Sequence, residues 1–372
     1  MTATTTVTTV LTTLAAATAH PPPPGPPTSR INDRPARGGP PTAADLCRHA
    51  PHTLTLLADR PDGTVVRHGP LVVKAHAPDA DPTALDVRIA VAAHPLLAGI
   101  LLPPLPPPVG PVKTDGRPLS VWPFGTPVDP EDPDSAPWEE TAVLLARLHR
   151  TDASALPMPL PPMRGPAKAA RAVARMRATR PHDAVLAAWH GLPARARNEA
   201  PGPARTLCHG DLHLGQLVRH PAPNGPWHLI DVDDLGLGDP AWDLARPAAW
   251  YAAGLLQPDT WQRFLAAYRA AGGPAVRPDG DPWPELDVAA RALTVQTAAL
   301  ALAKSTAEQR PLDEVEQLMI DSCARIASLP PEKDEKPPSP GEVPRTGHAA
   351  SRRRSGPVGQ TVRPAGSPRP EE

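Results

Sequence analysis

The sequence predicts an α+β fold in which a small antiparallel sheet with one helix precedes a larger, mainly helical region. Three observations carry this expectation. Short apolar runs separated by turn residues occupy 54–74, helical periodicity dominates from 138 to 329, and the stretch 207–243 breaks that periodicity with β-like runs and polar loops.

Leu54 to Leu57, Thr64 to Arg67 and Leu71 to Lys74 are divided by Pro61-Asp62-Gly63 and by Gly69-Pro70, residues that reverse an extended chain. These runs predict a small antiparallel sheet. Asp81-Pro82 then supplies an N-cap with proline at the first helical position, and Leu85, Ile89 and Ala92 continue at helical spacing. After a proline-rich connector beginning at Leu101, Leu119-Ser120-Val121-Trp122 predicts a last strand. Helical patterns follow over 138–149, 167–176 and 183–189, and again up to Trp250, over 260–271, 284–304 and 313–329. In the final one Val315, Leu318, Met319, Ser322, Cys323 and Ile326 make a single stripe. The expected organisation is a disordered leader over 1–42, a β-rich part over 43–122, a helical part over 123–329 and a disordered tail over 330–372.

Fifty-seven prolines are spread over 372 residues, but they cluster outside the periodic stretches. A net charge of −1 gives no support to nucleic-acid or membrane-surface binding as the main role. The arginine triplet 352–354 reads as solvated tail. Cys47, Cys208 and Cys323 are too far apart for a metal or disulfide framework, which suits a reducing compartment. Met1 to His20 lacks the basic start and unbroken apolar stretch of a signal peptide, and no apolar run approaches the ~20 residues of a membrane span, so a cytoplasmic protein is expected.

Chemistry concentrates in three segments: His209-Gly210-Asp211 with Gln216 five residues on, Ile230-Asp231-Val232-Asp233-Asp234, and Gly238-Asp239-Pro240 with Asp243-Leu244-Ala245. A turn at Pro223-Asn224-Gly225 would fold the first two together as a hairpin and bring Asp211 towards Asp231. Two carboxylates and an amide in one cleft match phosphoryl transfer, in which a divalent cation neutralises developing charge while another carboxylate orients the attacking hydroxyl. Lys74, the only lysine before Lys113, ends an apolar β-like run, where a strand would hold its stem inward and its ammonium could meet phosphate oxygen. His209-x-Asp211-x-His213 also contains nitrogen and oxygen ligands of the kind metallohydrolases use, without a third His or Cys at a recognisable spacing. Asp233 and Asp234 read as solvated turn residues or as neighbours of the cation. The acidic run Asp129, Glu131, Asp132, Asp134, Glu139 and Glu140 reads as a solvated face or as an attractor for a cationic substrate.

The three segments together resemble the aminoglycoside phosphotransferase and choline kinase family, over about residues 50–329 and most specifically over 207–245. The resemblance implies a protein-kinase-like fold with a nucleotide cleft between 43–122 and 123–329. It implies transfer of the terminal phosphate of ATP or GTP, with Mg2+, to a hydroxyl of a small molecule such as an aminoglycoside-like or other amino or sugar alcohol. Asp211 would then be the catalytic carboxylate, Asp231 a magnesium ligand and Lys74 a phosphate contact. His209 would shape the loop and Asp243 brace it. Gln216 stands where the family has Asn, and Asp86 stands nearest to the helical Glu that the family pairs with its lysine. A Gly-rich phosphate loop is not evident. These departures leave a second expectation open: a catalytically weak relative that binds nucleotide or a partner without turnover.

Overall fold

The computed structural model describes residues 54–60, 62–105, 113–114, 117–157 and 159–330. The leader over 1–42, Cys47 and the tail beyond Pro330, with its arginine triplet, lie outside the described residues.

Strands β1 (Leu54–Arg60), β2 (Gly63–His68) and β3 (Leu71–His76) form the expected meander. With β4 (Lys113–Thr114) and β5 (Arg117–Pro123) they make an antiparallel sheet in the order β1-β2-β3-β5-β4. Side chains alternate along a strand, so β3 sends Leu71, Val73 and Ala75 to a buried apolar face and Lys74 and His76 to the other. Lys74 is flanked there by Val65 of β2 and Ser120 of β5. Helix α1 (Pro82–Ala92) begins where the sequence predicts it, because the Asp81 side chain accepts from the backbone N–H groups of Thr83 and Ala84.

The remainder is mainly helical: α2 (Trp138–His149), α3 (Gly165–Thr179), α4 (Asp183–His190), α5 (Ala241–Ala252), α6 (Pro258–Ala270), α7 (Trp283–Glu308) and α8 (Glu314–Ala327). Helix α7 is the packing axis, touching α3, α5 and α8, and its buried alanines at 289, 292, 298 and 299 let those helices approach closely. By length and composition α7 could cross a membrane, yet 72% of its apolar window is buried inside the fold. That burial is what a central core helix requires. A capping box between Asp313 and Glu316 starts α8.

Five very short strands interrupt the helices: β6 (Thr126–Pro127), β7 (Thr206–Cys208), β8 (Leu217–Arg219), β9 (Trp227–Leu229) and β10 (Gly236–Gly238). The expected hairpin is β8 with β9, in register Leu217 to Leu229. A second pairing surrounds it, since β7 runs antiparallel to β10 with Cys208 opposite Gly236. The nested pairs force the loop after β7 and the loop after β9 to lie side by side. The connector after α1 joins this unit: Leu102 N–H donates to the Leu229 carbonyl, and Leu229 N–H to the Ile100 carbonyl, both at 2.9 Å. The sheet is thereby tied to the loops it faces.

Candidate active site

The loop after β7 contains His209, Gly210 and Asp211. Gly210 has φ +86°, and a Cβ there would collide with the backbone carbonyl of Asp234 from the neighbouring loop. Only glycine permits so close an approach. Asp243, fully buried in the first turn of α5, holds the loop from behind: its two oxygens accept the backbone N–H of His209 at 2.6 Å and of Gly210 at 2.8 Å. His149 of α2 donates through Nε2 to the same carboxylate at 2.9 Å, and its Nδ1 receives the Tyr268 hydroxyl at 2.7 Å. That tautomer follows from the partners, because the ionised Asp243 carboxylate can only accept, which leaves Nδ1 to receive the Tyr268 hydroxyl. Burial pushes the Asp243 carboxyl up, but the hydrogen bonds and charge around it hold its pKa below the ordinary value. Cys208 completes a buried trio with His149 and Asp243, whose donor atoms lie within 4.8 Å of one another. The Asp243 oxygens are committed to loop hydrogen bonds, so the trio reads as a brace.

His209 reaches across the nested strands, its Nε2 bonding the Ile230 carbonyl at 2.7 Å. The imidazole therefore spaces the two loops. His213 faces a different task, accepting Gly215 N–H through Nδ1 at the start of a short turn that presents Gln216. Burial first and Arg246 second push its pKa down to about 4. Neither ring carries the metal-ligand pattern that His-x-Asp-x-His admits: one holds a carbonyl and the other caps a turn.

Asp211 is clamped by two cations that sequence reasoning missed. Lys168 Nζ of α3 lies 2.6 Å from Oδ2, and Arg246 Nη2 of α5 lies 3.2 Å from Oδ1. Burial opposes ionisation, yet Lys168 and Arg246 lower the Asp211 pKa. Arg246 also donates to the Leu212 carbonyl at 3.0 Å, fixing the backbone beside Asp211. It follows the Asp243-Leu244-Ala245 motif directly, one helical turn from Asp243, a signal that could have marked it. Lys168 carries no such sequence signal.

The loop after β9 presents three carboxylates. Asp231 has φ +65°, a left-handed conformation uncommon outside glycine, and concentrated at functional sites. Its Oδ1 lies 2.6 Å from Lys74 Nζ, and its Oδ2 accepts from Gln216 Nε2 at 3.3 Å. Asp233 lies 3.1 Å from the same ammonium and 2.9 Å from His76 Nδ1; His76 Nε2 in turn meets Ser120 Oγ at 2.7 Å. Burial disfavours charge on Lys74, but Asp231 and Asp233 outweigh it and raise the lysine pKa; the same contacts lower that of Asp231 against its own burial. Lys74, Asp231, Asp233 and Gln216 thus occupy one polar cluster.

Two expectations need correction. Asp86 is exposed on α1 and forms no ion pair among the described residues, while Lys74 pairs with Asp231 and Asp233. The inward position is taken by Arg88, 6% exposed, whose Nε donates to the Leu235 carbonyl at 2.7 Å. Residues two apart on a helix point nearly opposite ways, so α1 cannot present both. Nor are Asp233 and Asp234 solvated turn residues. Asp234 Oδ2 lies 2.7 Å from Lys168 and Oδ1 3.5 Å from Arg164, leaving its side chain 13% exposed.

Beside Asp211 lies a cavity of about 10 Å³, room for about one water, lined by Gly165, Trp242, Arg246, Leu293 and Gln296 together with residues 210–212. The acidic run does not reach it. Asp132 caps a short surface turn, and Glu139 pairs with Arg263 at 2.7 Å.

Residues 63–287 match the model of a family described as the phosphotransferase enzyme family. No curated protein is significantly similar to the chain. Among solved structures, an amicoumacin kinase in complex with AMP-PNP and Ca2+ is 16% identical, over 76% of this chain and 91% of that one, with a TM-score of 0.54. A choline kinase from Streptococcus pneumoniae is 13% identical over 74% and 92%, with a TM-score of 0.51. A thermostable mutant of an aminoglycoside phosphotransferase is 15% identical over 74% and 95%, with a TM-score of 0.50. At these identities the likeness is one of fold.

Proposed function

This chain belongs to the phosphotransferase enzyme family and has its kinase-like α+β fold, and on that premise we propose that it moves the terminal phosphate of ATP or GTP onto a hydroxyl of a small molecule in the cytoplasm. The observation that carries the reading is the nested pairing of β7 with β10 and β8 with β9, which sets the Asp211 loop against the Asp231 loop, with Lys74 reaching the latter from the sheet.

In this reading the acceptor oxygen bonds to the terminal phosphorus as the bond to the bridging oxygen breaks; the hydroxyl proton passes to Asp211, and nucleoside diphosphate leaves. Lys168 and Arg246 make Asp211 a weak base, which suits a loose transition state in which the hydroxyl loses its proton late and orientation matters more than basicity. Lys74 contacts phosphate oxygen, exchanging carboxylate partners for another anion. Asp231 and Asp233 offer carboxylate oxygens of the kind magnesium takes, and Gln216, whose amide nitrogen now faces Asp231, would add its carbonyl oxygen if the amide turned over, so these residues fit the ion. Bound there, magnesium would neutralise charge on the phosphates.

Purified full-length chain should bind ATP or GTP more tightly with Mg2+ than without it and transfer phosphate to at least one hydroxyl compound. Asp211→Ala should lower transfer by about a hundredfold or more while leaving nucleotide affinity nearly unchanged. Equal turnover in the variant would remove Asp211 from this role, and absence of nucleotide binding with any divalent ion would remove the function. A second reading, nucleotide binding without turnover, draws on Gln216, whose amide nitrogen faces Asp231. Tight Mg-nucleotide binding with no transfer, together with transfer gained on Gln216→Asn, would favour it.

A further inference from the structure

We propose that His76 of β3 is a positioning residue for Asp233, the magnesium ligand proposed above, and is itself held by Ser120 and Trp122 of β5; this rests on the phosphotransferase reading, which gives Asp233 an ion to hold.

Residues two apart on a strand share a face, so β3 aims Lys74 and His76 at the same loop. Ser120 stands opposite Lys74 in the β3–β5 register, and Trp122 follows it on that face. Four side chains then join end to end. Trp122 Nε1 donates to Ser120 Oγ at 2.8 Å, Ser120 Oγ lies 2.7 Å from His76 Nε2, and His76 Nδ1 lies 2.9 Å from Asp233 Oδ1. Donors and acceptors agree along the whole chain of bonds. The indole can only donate, which leaves the Ser120 hydroxyl proton for Nε2; the Asp233 carboxylate, beside the Lys74 ammonium, can only accept, which assigns the other ring proton to Nδ1. His76 is 1% exposed, and Ser120 and Trp122 are buried with it, so water is kept from that end of the chain. The backbone is fixed as well: Arg117 Nε donates to the His76 carbonyl at 2.6 Å and Nη2 to the Ala75 carbonyl at 3.0 Å.

The arrangement matters once Lys74 turns to phosphate. As the side chains stand, its ammonium lies 2.6 Å from Asp231 Oδ1 and 3.1 Å from Asp233 Oδ2. When it leaves, Asp231 keeps Gln216 as a partner, and Asp233 keeps His76 as its side-chain partner among the described residues. With Oδ1 held by the imidazole, Oδ2 stays on the side that Lys74 now occupies. A ligand oxygen that is already oriented loses less freedom on binding a cation, and the group that orients it commonly contributes about ten- to a hundredfold to affinity.

The test is calorimetry on the full chain, using whichever of ATP and GTP the wild type binds more tightly, once with Mg2+ and once with EDTA. His76→Leu should raise the Kd for Mg-nucleotide about tenfold or more and leave the value in EDTA within about twofold. His76→Asn, whose amide nitrogen can stand where Nδ1 stands and donate to Asp233, should recover most of the loss. Ser120→Ala keeps the bond to Asp233 but frees the far side of the ring, and should cost about threefold with Mg2+ alone; it carries the test should His76→Leu fail to fold. The proposal is overturned by equal weakening with and without Mg2+, by His76→Asn doing no better than His76→Leu, by wild-type affinity in the variants, or by a wild type whose affinity ignores Mg2+. Phosphate transfer by the wild-type chain would still stand in each of these cases. If the wild type binds no nucleotide with any divalent ion, the proposal and the phosphotransferase reading fall together.

Discussion

Lys168 Nζ lies 2.6 Å from Asp211 Oδ2 and 2.7 Å from Asp234 Oδ2, so a single ammonium from α3 joins the loop after β7 to the loop after β9. The lysine precedes Asp211 by 43 residues, outside any motif. Burial works against its charge, and Asp234 and Asp211 more than restore it.

Lys168→Met should therefore act on Asp211. Asp211 has a lowered pKa in the fold, so activity that needs its carboxylate is present above that pKa and is lost as pH falls through it. Without the ammonium, the acidic limb of the kcat/KM profile should move up towards the ordinary carboxylate range, and kcat should fall about tenfold or more. An acidic limb that stays in place would show that Lys168 does not set the ionisation of Asp211.

Lys74 and Asp231 bear on nucleotide rather than on acceptor. Lys74→Met and Asp231→Asn should each raise the Kd for Mg-nucleotide, measured by calorimetry, by roughly ten- to a hundredfold. Asp231→Asn should also blunt the dependence on magnesium, whereas Lys74→Met should keep it. The same dependence in both variants would argue against Asp231 as a cation ligand.

Asp243 accepts two backbone N–H groups and the His149 ring in a fully buried position. Asp243→Asn turns one acceptor into a donor facing donors. Stability should fall by ~2–4 kcal/mol, read as the urea midpoint at unchanged m value. A midpoint within error of wild type would mean that the brace contributes little.

His213 makes a pH prediction. Its pKa is about 4 in the fold, against an ordinary value of 6.5. Between those values the unfolded chain binds a proton that the folded chain does not, so stability rises with pH across the window and the contribution is complete above it. Acidifying through the window should cost ~1–3 kcal/mol from this residue. His213→Gln should flatten that part of the stability curve, and an unchanged slope between wild type and variant would assign the acid sensitivity elsewhere.

Much of the fold was legible because its signals are local. Gly69 and Asp81 mark a turn and a helix start through residues within a few positions, and the helical stripes, such as the one over 315–326, follow a fixed period. The β8–β9 hairpin was legible for the same reason. The β7–β10 pairing was not: each strand has three residues, two of those in β10 are glycine, and the partners are far apart in sequence. Asp86 failed as a partner for Lys74 because facing on a helix depends on how α1 docks, and docking turned Arg88 inward.

The sequence by itself determined the order of sheet and helices, and it grouped His209, Asp211, Asp231 and Asp243 within one short region, because spacing and residue type are properties of the chain. Only the tertiary structure decided which cations meet those carboxylates. Lys74 arrives from β3, Lys168 from α3 and Arg246 from α5, and long side chains on separate elements find partners through packing, which no local pattern records.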